Sequence, residues 1–355
     1  VGCDIGCGMI SFQTDLELEG FEDIDNKIRS VIPTGISICK DAKNFKKYMD
    51  WKNINNDLLR LTGKQHDMNV ANFEKWLDKF GDKCNKQRIL NSLSTLGGGN
   101  HFMEISKDEQ DKTWITIHTG SRNLGIQVCD YHKNEAKCKV KAIRDAKYKE
   151  IINEIKRVTK QSGWESKFKE VKSMFGRNDS RNQQSFYLED EYLDKYLIDM
   201  TITQHYAKAN RIAIMENIKE VLNIQSFEEI ECVHNYINFD DKIIRKGAIS
   251  SYKGEKMIIP FNPKDGILIC EGKSNADWNY SAPHGAGRTM SRSAAKREIS
   301  KELAEEVMEG VYASIKPLDE SPLAYKSATL IERFLEPTST IISRLTPIIN
   351  IKANK

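Results

Sequence analysis

A chain of 355 residues is long enough to bury a substantial core, and 39% hydrophobic against 30% charged residues suits a globular protein with a well-solvated surface. No run approaches the about 18 apolar residues that a membrane-crossing helix needs, and the amino terminus carries no signal-peptide pattern, so no membrane attachment and a cytoplasmic location are expected. A net charge of +3 is close to neutral, which confines any nucleic-acid footprint to a local patch, and eight unevenly spaced cysteines fit reduced thiols better than a disulfide framework.

The chain starts at Val1, directly in its densest motif, Gly2-Cys3-Asp4-Ile5-Gly6-Cys7-Gly8-Met9, which suggests a fragment or a processed product. Residues 1–125 mix short apolar runs with glycine punctuation. Positions 115–117 read as a buried strand leading into the turn Thr119-Gly120-Ser121, and Gly97-Gly98-Gly99-Asn100 reads as a loop. Residues 126–200 are charged and poor in Gly and Pro, so a helical insertion is expected there. Within it, 137–160 holds nine Lys and Arg against three acids, a stripe that either neutralises phosphates or simply solvates a helix face. Over 201–222, Ala207, Ile214, Ile218 and Val221 recur at helical spacing. Asn210 falls near that stripe, where a polar side chain must be hydrogen-bonded or functional. Positions 243–244, 257–260 and 267–270 read as strands. An amphipathic helix is expected over 293–309, with Ala295, Ile299, Leu303 and Val307 on one face and Gly310 ending it. Residues 347–352 read as a last strand. Strands with segregated helices imply an α+β fold, and without a linker or repeat the expected division is one domain over 1–355 carrying the insertion at about 126–200.

Chemistry concentrates in a few places. Asp4 and Cys7, each beside glycine, suit a tight turn that aims a carboxylate and a thiolate at one point, a combination that metals favour. Four of the seven histidines, His101, His118, His234 and His284, lie where apolar stretches meet Gly-rich or polar turns, which makes a convergent metal site the better reading. Imidazole and thiolate suit Zn, Mn, Fe or Co, and spacing does not choose among them. His66, His132 and His205 read as ordinary structural residues. Gly285-Ala286-Gly287-Arg288 before the expected helix suits phosphate, through backbone N–H groups and a guanidinium, and Ser121-Arg122 offers a second anion contact. The Gly266 to Ser274 segment misses P-loop spacing by one residue and is too apolar, and Lys264-Asp265-Gly266 lacks the spacer of a lysine-nucleophile ligase.

Taken in order, Asp4-Ile5-Gly6-Cys7-Gly8-Met9, Leu96-Gly97-Gly98-Gly99-Asn100-His101-Phe102, His118-Thr119-Gly120-Ser121-Arg122, Asn210-Arg211, His234-Asn235, Arg245-Lys246-Gly247-Ala248 and His284-Gly285-Ala286-Gly287-Arg288-Thr289-Met290-Ser291-Arg292 resemble the motifs of the RtcB RNA ligase family. The likeness extends from residue 1 to Ile351-Lys352. It implies an RtcB-like mixed β core with peripheral helices, and a family segment preceding the Asp-x-x-Cys motif. It also implies a GTP-dependent 3′-phosphate/5′-hydroxy nucleic acid ligase acting on RNA in tRNA splicing or repair, with an archease-like activator as a further partner. In that pattern two Mn²⁺ ions are held by Asp4, Cys7, His101, His118 and His234, with Cys7 shared. His284 is the nucleophile that takes up GMP. The guanylate pocket comprises Asn100, His101, Glu104, His234, Asn235, Pro260, Phe261, Asn262, Pro263, Ile267, His284, Gly285, Ala286, Gly287 and Lys352. Ile267 stands where many relatives carry a serine. The competing expectation is a metal-dependent RNA phosphodiesterase or phosphatase that uses the same ions without ligation.

Overall fold

The computed structural model describes residues 1–41, 44–176 and 187–353. In chain order its strands are β1 (Gly8–Thr14), β2 (Phe102–Lys107), β3 (Thr113–Thr119), β4 (Ser226–Val233), β5 (Asn235–Ile237), β6 (Ile244–Lys246), β7 (Ala248–Ser250), β8 (Lys256–Pro260), β9 (Ile267–Gly272), β10 (Ser281–Pro283) and β11 (Ser339–Ile351). Seven of them form one antiparallel sheet in the order β4-β1-β3-β2-β11-β9-β8, with β5–β6 and β7–β10 as small pairs beside it. The fold is α+β, as expected.

Alternation along the strands sorts structure from chemistry. Ile10 pairs with Ile117, Ile117 with Met103, and Met103 with Ile351. These apolar residues pack in one cluster with Ile24 and Ile28 of helix Phe21–Val31 and with Ile214 and Ile218 of helix Asp190–Leu222. Each such fully buried side chain contributes about 2 kcal/mol of transfer free energy. The other face of the same strands carries Met9 opposite His118, His118 opposite Phe102, and Glu104 opposite Asn350. That face lies inside the curl of the sheet, where the edges approach: Cys232 Sγ of β4 is 3.5 Å from Ile258 O of β8. β3 is therefore buried at every position.

Helices occupy much of 122–222. Helix Arg122–Val158 runs for 37 residues, followed by Trp164–Gly176 and Asp190–Leu222. Residues 177–186 of the expected insertion lie outside the described residues. At about 100° per residue, Lys139 and Arg157 fall on the side of the first helix opposite Lys137. Moreover, Lys139, Arg144 and Arg157 have acidic partners at 4.0, 3.8 and 2.9 Å. The stripe is thus dispersed around the helix.

Three boundaries differ from expectation. Helix Asp190–Leu222 starts eleven residues before 201, because Leu193, Leu197 and Met200 continue its helical spacing back into the charged stretch. The helix expected over 293–309 is two, Arg292–Glu298 and Lys301–Glu306. Ile299 turns extended (φ −96°, ψ 119°), and the Ser300 hydroxyl accepts the Leu303 N–H at 3.1 Å, which recaps the chain. The final strand begins at Ser339, where exposed Ile341 and Ile342 obscure the alternation. The P-loop look-alike proves to be β9 itself, and Lys264-Asp265-Gly266 the turn before it. Among the described residues, no helix is long and apolar enough to cross a membrane.

Candidate metal centre and nucleotide cleft

Asp4 and Cys7 sit in the turn that leads into β1. Cys7 N donates to Asp4 O at 3.1 Å, closing the turn, and Gly6 takes φ +74°, a conformation that glycine supplies at low cost. Asp4 also needs Gly120: a Cβ at that position would overlap its carboxylate. His118 ends β3, His101 precedes β2, and His234 joins β4 to β5. The strand pairings therefore bring together residues more than a hundred positions apart.

Asp4 Oδ2 lies 2.8 Å from His101 Nε2. Cys7 Sγ lies 3.7 Å from His101 Nε2 and 3.4 Å from His118 Nε2, and His118 Nε2 lies 3.3 Å from His234 Nε2. The result is two groups of three, Asp4–Cys7–His101 and Cys7–His118–His234, each with donor atoms within 4.8 Å of one another. Cys7 belongs to both. His101 Nδ1 donates to Leu96 O at 3.0 Å, which turns Nε2 toward Asp4 and Cys7.

Electrostatics favour a cation here. Although burial works against it, His101, then Cys7 and Arg122, hold the Asp4 carboxyl down to about 2. Burial, then Asp4, push the Cys7 thiol up, while burial and neighbouring histidines push His118 and His234 down, leaving both imidazoles neutral. Imidazole nitrogen, thiol and carboxylate converging on one point are the donor set that suits a divalent ion, whose binding would displace the thiol proton. The five donors fit a transition-metal pair by ligand type.

Two buried residues of helix Asp190–Leu222 pin the loops. Asn210 Oδ1 accepts from Ser94 N and Thr95 N at 2.7 and 3.1 Å, and Nδ2 donates to Thr95 O and Gly120 O, each at 3.1 Å. Arg211 Nη1 donates to Gly6 O at 2.7 Å and Thr119 O at 3.2 Å, while its other nitrogens bind Glu231. Asn210 is thus a satisfied core residue whose partners are the loops flanking the candidate ligands. The Ser121-Arg122 turn serves the same end. Ser121 N donates to Asp4 Oδ1 at 3.1 Å, and the Arg122 guanidinium donates to the Thr95 hydroxyl and to Gly35 O, so it holds protein groups in place of the expected anion.

His284 stands beside the cluster, its ring centroid 4.9 Å from that of His234. Gly247, at φ +70°, links the two: its N–H donates to His234 O at 2.8 Å and its O accepts from His284 Nδ1 at 2.8 Å. Nδ1 therefore carries the proton and Nε2 the lone pair. Burial pushes the His284 pKa down against the Gly247 bond, which keeps the ring neutral at pH 7.

A cleft of about 570 Å³ opens from His284. Of the residues expected around a nucleotide, Asn100, Glu104, His234, Pro260, Phe261, Asn262, Pro263, Ile267, His284, Gly285, Ala286 and Lys352 line it. His101, Asn235 and Gly287 do not. His101 faces Asp4, and Asn235 braces the Asp4 turn by donating to Asp4 O at 2.6 Å and accepting from Gly2 N at 3.1 Å. Ala286 N donates to Pro260 O at 2.9 Å, and a Cβ on Gly285 (φ +146°) would stand 2.5 Å from that same oxygen. Arg288, expected to bind phosphate, instead pairs with Glu320 at 3.2 Å and stacks over Tyr325. Glu320, Tyr325 and Asn350 line the cleft without having been marked by any motif. Glu104 accepts from Ser106 and from Asn350, each at 3.0 Å, yet burial outweighs these bonds and pushes its pKa up to about 8. The other histidines have partners of their own: His66 with Thr62, His132 with Asp199, and His205 with Asp57.

The profile of the family described as "tRNA-splicing ligase RtcB" matches residues 1–353. The RNA-splicing ligase RtcB of Escherichia coli strain K12 is 28% identical over 374 residues, covering 99% of this chain and 82% of that protein. The tRNA-splicing ligase RtcB of Nanoarchaeum equitans is 26% identical over 423 residues, covering 99% and 81% respectively.

Proposed function

The chain belongs to the RtcB family, and from that footing we propose that it is a GTP- and Mn²⁺-dependent RNA ligase. It joins 3′-phosphate or 2′,3′-cyclic phosphate ends to 5′-hydroxyl ends through a histidine–GMP intermediate, in tRNA splicing or RNA repair in the cytoplasm, as one catalytic domain. The observation that carries this reading is His284: a neutral imidazole, its Nδ1 tied to Gly247 O at 2.8 Å and its ring beside His234, at the mouth of the cleft that Glu104 and Lys352 also line.

His284 Nε2 needs no prior deprotonation to act as a nucleophile. It attacks the α-phosphorus of GTP; the N–P bond forms, the bond to the bridging oxygen breaks, and pyrophosphate leaves. Gly247 O stabilises the positive charge that develops on the ring. Glu104 faces the guanine edge, where a carboxylate accepts from the N1 and N2 hydrogens, and the Lys352 ammonium supplies a donor across the cleft. Asp4, Cys7, His101, His118 and His234 would hold the two divalent ions, whose positive charge would polarise phosphate oxygens and offset the developing charge. His284 then releases the guanylyl group to an RNA 3′-phosphate oxygen as the N–P bond breaks. Attack of the 5′-hydroxyl on that activated phosphate expels GMP and seals the strand.

The test is ligation of an RNA with defined 3′-phosphate and 5′-hydroxyl ends by the purified chain with GTP and Mn²⁺, with and without an archease-like activator. Ligation that disappears in His284→Ala supports the reading. Hydrolysis of the cyclic phosphate that survives His284→Ala, with no joining by the parent protein, would replace it with a phosphodiesterase.

A further inference from the structure

We infer that Glu320 is a positioning residue that aims Lys352 into the nucleotide cleft and couples it to the turn bearing His284; this rests on the ligase reading above. Glu320 is 3% exposed, yet four donors converge on it. Lys352 Nζ and Tyr325 OH reach Oε2 at 3.1 and 2.6 Å, and Arg288 Nη1 and Arg292 Nη1 reach Oε1 at 3.2 and 2.7 Å. These partners come from three separate segments: the end of β11, the stretch after the short turn Leu318–Glu320, and the run from His284 into helix Arg292–Glu298. One carboxylate thereby joins the nucleophile's turn to the opposite wall of the cleft.

Lys352 requires such a partner. Its amine is buried, with Glu320 at its side, Arg292 and Glu104 in its field, and the Phe102 ring 5.7 Å away. Burial lowers its pKa and Arg292 works in the same direction, while Glu320 is the nearest group that opposes them. The far end of the residue is already fixed, because Arg29 Nη1 donates to Lys352 O at 3.0 Å. Only the amine is left to be aimed. A second, narrower cleft, walled by Met308, Ile315 and Pro317, also borders Lys352 and Glu320. Glu320 thus stands where the amine could face either space, and its contact with Nζ holds it on the nucleotide side.

Equilibrium dialysis with GTP, together with the rate of guanylate transfer to the protein, tests this in the full chain carrying Mn²⁺. The variants are Glu320→Gln, Lys352→Met and both together, with thermal midpoints as the folding control. Glu320→Gln should raise Kd and KM for GTP roughly ten- to a hundredfold, the range for a charge-assisted hydrogen bond, and change the maximal rate by less than about threefold. The double variant should bind no more weakly than Lys352→Met alone, since Glu320 acts through that amine. The alkaline limb of binding should also move to lower pH in Glu320→Gln, as Lys352 yields its proton more readily. Should Glu320→Gln not fold, Glu320→Asp carries the same cycle, with the charge kept one methylene short. GTP binding unchanged in the Glu320 variant, or losses that multiply in the double variant, would overturn the inference. A wild-type chain that takes up no GTP would overturn the ligase reading and this inference with it, before any variant is compared.

Discussion

Cys7 is shared by both groups of candidate ligands, so its replacement should uncouple metal binding from folding. Cys7→Ser keeps the turn, whose closure is backbone to backbone, but offers a hard, neutral oxygen in place of a thiolate. Mn²⁺ affinity, followed by electron paramagnetic resonance, should fall by about a hundredfold or more while the circular dichroism spectrum is retained. Unchanged affinity would remove Cys7 from the site. Glu104 makes a second prediction, on pH. Its carboxyl titrates at about 8 in the free protein, and guanine donors require the ionised form. GTP affinity should therefore rise with pH, by up to roughly tenfold per unit, and level off above about 8. Glu104→Gln should bind weakly and show no such rise, and an identical pH profile in both proteins would contradict the assignment.

Among the elements, helix Asp190–Leu222 acts as the brace of the turns that carry the candidate ligands. Asn210→Ala leaves Ser94 N, Thr95 N and Gly120 O without their buried partner. Urea denaturation should show a loss of about 3 kcal/mol, and Mn²⁺ affinity should fall with it. A neutral substitution would mean that the loops hold themselves. Much of this was legible in the sequence. The candidate ligands stand out because each is a side chain of metal-binding type beside glycine or at the end of an apolar run, and the fold brings them together. Asn210 was legible as a polar residue on a buried stripe, although its partners were not, since they lie 90 to 116 positions away. The break at Ser300 was hidden because a serine on the outer face of a helix and a serine capping a new one look alike in sequence. Glu320, in Asp319-Glu320-Ser321, carries no motif, and its role depends on three cations that only the fold assembles.

For the whole molecule, the site belongs to no single layer. The turns leading into β1 and β2, the end of β3 and the β4–β5 junction carry the candidate metal ligands, and the residues just past β11 and β10 are Lys352 and His284. A ligand that bridges these parts should stabilise the entire fold. Mn²⁺ at about a hundred times its Kd should add about 2.7 kcal/mol and raise Tm, an effect removed by chelator and absent in Cys7→Ser. The basic stripe at 137–160 shows the limit of composition as a guide, since local charge counts do not reveal that a helix disperses its cations or pairs them with Glu189, Asp145 and Glu154. The central claim is that His284 takes up GMP. It is tested most directly by incubating the protein with Mn²⁺ and GTP labelled at the α-phosphate, then locating the label by peptide mapping. The account predicts one guanylate on His284, labile in acid and stable in base, and lost in His284→Ala. Label on a lysine, or none on a folded protein that binds both Mn²⁺ and GTP, would contradict it.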